Sequence, residues 1–184
     1  MLYLLGLLQG KIVIAGIGNT LRGDDGLGCD LVNRLKGRVN ALCIDTGSTP
    51  ENYLGKMIQE QPDTLLLIDA VHLDKPPGEF AIMPPGELAH QFPATHGFPL
   101  RMVIDQLVQS ISAKIFFLGI QPQTVRIGTS LSTPIQNTLT CLEHWIVEAV
   151  NANTNSCYAF RANGGYVIAS EAKQSRGESP VPCQ

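Results

Sequence analysis

Several kinds of site are missing from this chain, and each absence narrows what it can do. No basic stripe runs along any segment and the formal net charge is -3, so the phosphate-neutralising surface of a nucleic-acid binder is absent and no such partner is expected. No run approaches the ~20 consecutive apolar residues that cross a bilayer, so no membrane insertion is expected. The opening MLYLLGLLQGK has no basic residue ahead of its apolar run and no small-residue cleavage site. It does not read as a signal peptide, and a cytoplasmic location is expected. The cysteines, Cys29, Cys43, Cys141, Cys157 and Cys183, form no C-x-x-C pair, which argues against a zinc knuckle or a thioredoxin-type motif. Cys29 and Cys43 fall inside apolar segments and read as small buried hydrophobes. No G-x-S-x-G occurs, so a nucleophile elbow is missing. No internal repeat is found.

What is present describes one globular unit: 184 residues, 44% hydrophobic and 16% charged, enough for a single core. KIVIAGI (11–17), ALCID (41–45), TLLLIDAV (64–71) and KIFFLGIQP (114–122) are short apolar runs that predict buried strands, the third of them central. GEFAIMP (78–84), bracketed by proline-rich turns, predicts an edge strand. Leu27, Leu31, Val32, Leu35 and Val39 recur at helical spacing, as do Leu100, Val103, Ile104, Leu107, Val108 and Ile111. PENYLGKMIQE predicts a helix with Thr49 as its cap and Pro50 at its first position. A last helix follows Ser132 or Thr133, either of which fits as its cap. Strands thus alternate with helices, which predicts a three-layer α/β fold: a mostly parallel twisted sheet with helices on both faces. Residues 1–150 form that domain. From Asn151 the chain is rich in Asn, Ser, Gly and Pro without a sustained period, and 151–184 reads as a flexible or unrelated extension.

Ligands of open α/β sheets bind beyond the carboxyl ends of the strands. Four aspartates fall there: Asp24 and Asp25 after the first strand, Asp45 at the end of the second and Asp69 at the end of the third. The loop GIGNTLRGDDGLG (16–28) has the glycines of a phosphate loop, but Gly23 stands two residues too late for G-x-G-x-x-G. Each Asp would also repel a pyrophosphate by ~1 to 4 kcal/mol at ~4 Å. One of that pair reads as a helix cap. DTGS (45–48) occurs once, where an aspartic protease needs two such carboxylates, and reads instead as a strand-end turn holding an acid near the crevice. His72, His90 and His144 read as solvated or satisfied. His96 stands apart, in a turn immediately before an amphipathic helix. Two strand-end carboxylates and this imidazole, drawn from three loops, suit a borderline divalent metal and leave coordination positions open.

Five ordered segments, GIGNTLRGDDGLG, DTGSTPENY, LLLIDAV, THGFPL and FFLGIQP, together resemble those of the nickel-iron hydrogenase maturation endopeptidases over about residues 11 to 150. The GIQP strand and the STPENY turn are most similar to the branch that processes the large subunit of formate-hydrogenlyase-type hydrogenases (hydrogenase 3). The resemblance implies the fold of that family. It also implies an endopeptidase that removes the C-terminal extension of the hydrogenase large-subunit precursor after nickel insertion. The family's nickel-recognising positions fall on Asp25, Asp69 and His96, which selects Asp25 over Asp24 and makes these three the catalytic and metal residues. Asp45, Asn19 and Asp24 are left to position substrate or support the site. The nickel is that of the substrate, and no organic cofactor is implied. A nickel-binding or delivery protein without protease activity is the alternative.

Overall fold

The computed structural model describes residues 6–86 and 98–152. The run at 12–17 has no polar face, and it forms strand β1 (Ile12–Ile17), buried at every position. Four more strands follow: β2 (Leu42–Gly47), β3 (Thr64–Ala70), β4 (Phe80–Met83) and β5 (Lys114–Ile120). They form one sheet in the order β2-β1-β3-β5-β4. All neighbouring pairs are parallel except β4 with β5. The third strand is central and GEFAIMP supplies an antiparallel edge, as their patterns predict.

Helices α1 (Leu27–Leu35), α2 (Leu54–Gln59), α3 (Phe98–Ser110) and α4 (Thr133–Ala152) complete the fold. Strand side chains alternate between two cores, as the period of two requires. Ile12, Ile14, Leu66, Ile68, Leu118 and Ile120 meet Leu27, Leu31 and Leu35 of α1 and Leu139, Leu142 and Ile146 of α4. Val13, Ala15, Leu65, Leu67, Ile115 and Phe117 meet Met57 of α2 and Val103, Ile104 and Leu107 of α3. Two layers of helix thus enclose the sheet.

Two element boundaries differ from the sequence reading, and one predicted cap bonds elsewhere. Helix α1 stops at Leu35 rather than reaching Val39, because Lys36 leaves helical geometry and Gly37 takes a positive φ of 75°. The segment at 50–60 opens as a 3-10 turn, Pro50–Tyr53, before α2, and Thr49 makes no side-chain capping bond. Ser132 does precede α4, and its carbonyl accepts the Gln136 N–H at 2.9 Å. Its hydroxyl, however, donates to Asp24 instead of capping its own helix. The segment 153–184 lies outside the described residues.

Candidate active site at the switch point of the sheet

From β1 the chain adds β2 on one side and β3 on the other, so the connections leaving β1 and β3 part company above the sheet. Such a switch point opens a crevice at the carboxyl ends of the strands. Register sets the height of the acids there: Gly16 lies level with Asp45 on β2 and with Ile68 on β3, which places Asp69 one residue further out.

The loop between β1 and α1 is folded tightly on itself. Gly18 has φ +135°, and a Cβ there would fall on the Asp25 carbonyl oxygen, so only glycine lets the two ends of the loop meet. Five of its amides are occupied by the protein. Gly18 N donates to Gly47 O (2.9 Å), Arg22 N to Asn19 O (3.0 Å), Asp24 N to Thr124 O (2.9 Å) and Asp25 N to Arg22 O (3.3 Å). Leu21 N donates to the Asn19 Oδ1 at 2.9 Å, an Asx turn that gives Asn19 its supporting role. A phosphate cradle needs such amides free, so these bonds add to the charge argument against a phosphate loop.

The adjacent aspartates do different work. Asp24 is fully buried. Its Oδ2 accepts from Gln123 N (2.9 Å), Thr124 N (3.0 Å) and Ser132 Oγ (2.9 Å), and its Oδ1 accepts from Ser132 N (2.6 Å). It does not cap α1, contrary to the sequence expectation; it ties the β1 loop to the β5–α4 connection. Asp25 is half-buried, and no donor among the described residues reaches its carboxylate. Its charge acts instead on Asp69.

Asp69, also half-buried, ends β3 with its Oδ1 accepting the Ala70 N–H at 2.8 Å. Burial chiefly, with repulsion from Asp25 added, pushes its carboxyl up to about 7 against the opposing pull of the Ala70 N–H. Asp45 goes the other way. Burial would raise it, but hydrogen bonds from Cys29, Asn33 and Gly47, with the Lys36 charge, outweigh that and hold it below the usual carboxylate range. Asn33 Nδ2 lies 2.9 Å from its Oδ2 and Gly47 N lies 3.0 Å from its Oδ1.

Cys29 is buried and lies 3.4 Å from Gly18 O. Burial first, then Asp45, pushes its thiol up to about 12, so it is a neutral donor and no nucleophile. Cys29 and Asn33 stand four apart on α1 and so share the helix face turned to the end of β2.

Gln121, within the GIQP segment, is a further residue that shapes this end of the sheet. It is buried at the end of β5; its Oε1 accepts the Leu73 N–H (2.6 Å) and its Nε2 donates to Pro122 O (3.1 Å). A glutamine closing an apolar strand is the signal for such a bracket. His72 is exposed with its Nδ1 3.4 Å from that amide, and His144 lies 3.3 Å from Glu148. Both fit the solvated or satisfied reading. His90 and His96 lie outside the described residues. Among the described residues no group of three His, Cys, Asp or Glu is poised to hold a metal. The described part of the site therefore supplies two of the three predicted donors, Asp25 and Asp69.

This architecture is that of the hydrogenase-maturating endopeptidases. It superposes on a nickel-iron hydrogenase maturation protease HycI from Thermococcus kodakarensis with a TM-score of 0.75 and 33% identity, covering 81% of this chain and 99% of that one. A crystal structure of the hydrogenase 3 maturation protease matches with a TM-score of 0.66 and 34% identity, over 73% of this chain and 87% of that one. In sequence, the hydrogenase 3 maturation protease of Escherichia coli K12 is 37% identical over 128 residues, 68% of this chain and 81% of the relative. The family model for HycI, hydrogenase maturation protease, matches residues 29–149. The chain belongs to the hydrogenase maturation protease family and is an endopeptidase. Among the described residues no helix is long and apolar enough to cross a membrane.

Proposed function

We propose that this endopeptidase acts in the cytoplasm on the large-subunit precursor of a nickel-iron hydrogenase and removes its C-terminal extension once nickel has been inserted. Asp25, Asp69 and His96 contact the nickel carried by the precursor, so cleavage waits for a loaded substrate. The observation that carries this reading is the placing of Asp25 and Asp69 at the switch point, each short of hydrogen-bond donors, with the Asp25 charge helping to raise the Asp69 carboxyl. A divalent cation relieves that repulsion, and carboxylate and imidazole suit nickel. Asp45, held ionised by its own partners, and Asn19 and Asp24, which shape the loop, keep the pair in place. The metal is part of the substrate, and its Lewis acidity would polarise a group at the cleavage point. Incubation with nickel-loaded precursor tests the assignment: Asp25→Asn, Asp69→Asn and His96→Ala should each abolish release of the extension. Full activity in all three variants would remove these residues from the site.

A further inference from the structure

The loop that carries Asp25 also brings apolar side chains to the surface beside it. Leu21 is 71% exposed and Ile127 80%, more than any other large hydrophobic among the described residues. They are distant in sequence but stapled together in space. Gly128 N donates to Leu21 O (2.9 Å) and Asp24 N to Thr124 O (2.9 Å), and Arg22 Nε reaches Val125 O (3.5 Å). The buried Asp24 carboxylate holds both ends of the same connection through Gln123, Thr124 and Ser132. At Gly23, φ is +58° and a Cβ would strike the Thr129 hydroxyl, so the two segments lie in direct contact. The rim and Asp25 therefore form one continuous piece, with Asp25 N bonded back to Arg22 O.

The rim also holds unspent charge. Arg34, Arg38 and Arg101 each pair with a carboxylate. Arg22 and Arg126, both exposed, have no carboxylate partner among the described residues. Exposed aliphatic side chains flanked by two guanidinium groups that lack a carboxylate, a few residues from Asp25, are the marks of a protein-docking surface and not of a solvated loop.

We propose that Leu21, Arg22, Arg126 and Ile127 form the seat for the hydrogenase large-subunit precursor. Leu21 and Ile127 receive an apolar side chain of the precursor, and the two guanidinium groups receive a carboxylate beside it. This rests on the proposed function and extends it from the nickel to the polypeptide around it. The occupant follows from continuity with a site that must hold a protein substrate, and from the complementary charge that the arginines demand.

Steady-state processing of nickel-loaded precursor by the full chain tests the seat. The L21S/I127S and R22E/R126E double variants should each raise KM about tenfold while kcat changes less than about threefold. The milder R22Q/R126Q pair should fall between R22E/R126E and the wild type. Raising salt should raise the KM of the wild type and leave that of R22Q/R126Q nearly unchanged. Unaltered melting temperatures should accompany these changes, since the side chains are exposed. Wild-type KM in both double variants overturns the seat, and so does a loss of kcat at constant KM. Self-association of the wild type that the variants abolish, with KM unchanged, assigns the surface to a second copy and also overturns it. If the wild type leaves the precursor uncut, calorimetric titration separates the two readings. Precursor binding that the double variants lose keeps the seat and rejects the cleavage, whereas no binding by the wild type rejects both.

Discussion

Replacing Asp69 with Asn should stabilise this protein in alkaline solution while ending its activity. In the folded state burial, aided by the Asp25 charge, lifts the carboxyl from 3.8 to about 7. Each pKa unit is worth about 1.4 kcal/mol, so an ionised Asp69 costs the fold about 4 kcal/mol. The sign follows from linkage. Protonated Asp69 is free of this penalty below pH ~3.8; that advantage is lost as pH rises, and by a little above pH 7 the full cost is present. In Asp69→Asn the side-chain oxygen still accepts the Ala70 N–H, but the new amide hydrogens lack a partner, which costs about 1–2 kcal/mol. The net gain is then about 2–3 kcal/mol at pH 8, worth roughly 5 °C or more in melting temperature for a domain of this size. At pH 4 the gain should vanish or reverse. Thermal unfolding followed by circular dichroism at pH 4, 6 and 8 measures it, with wild type and variant in the same buffers and no metal added. A melting difference that does not change with pH, or a variant less stable than the wild type at pH 8, would refute the argument. Asp25→Asn should show the same trend at smaller amplitude, because repulsion from Asp25 is the lesser of the two causes.

Two further substitutions probe the scaffold. Asp24→Ala strands the amides of Gln123, Thr124 and Ser132 and should cost about 3 kcal/mol in urea unfolding; a loss below about 1 kcal/mol would mean water replaces the carboxylate readily. Gly28→Ala sets a Cβ against the carbonyl oxygens of Ile17 and Ile68, forcing α1 off the sheet. It should lose about 2–3 kcal/mol together with processing activity, and wild-type values for both would show that the helix has room.

Where a side chain's role is set by local pattern, the sequence was readable. β1 and β3 are buried on both faces and read as unbroken apolar runs; β4, punctuated by proline and glycine on each side, read as an edge. Asp25, Asp45 and Asp69 were legible because strand ends can be counted. The job of Asp24 was not, because its partners, Gln123, Thr124 and Ser132, lie about a hundred residues away and nothing in GDDG points to them. The bond between Asn33 and Asp45 was hidden for a related reason, since only the packing of α1 on β2 brings helix face and strand end together. The early stop of α1 was misjudged because Val39 continues the apolar period while Gly37 breaks the backbone, and periodicity weighs side chains only. His96 lies outside the described residues.

The distribution of hydrogen bonds separates scaffold from site more sharply than position does. Asp24 and Asp45 stand beside the crevice, as Asp25 and Asp69 do, yet Asp24 is met by four donors and Asp45 by one on each oxygen. A carboxylate so saturated has little left to offer a ligand, and substituting it damages the fold. Asp69 receives only the N–H of its neighbour, and among the described residues Asp25 receives none. The same loop satisfies Gly18, Leu21, Arg22, Asp24 and Asp25 at their amides, so it has few donors to give an anion, while its Asp25 and the neighbouring Asp69 of β3 are two under-coordinated carboxyl groups. Keeping such a pair together costs stability that the protein does not recover alone. If the nickel of the precursor is what these carboxylates meet, as proposed, the substrate supplies the charge that would offset their repulsion.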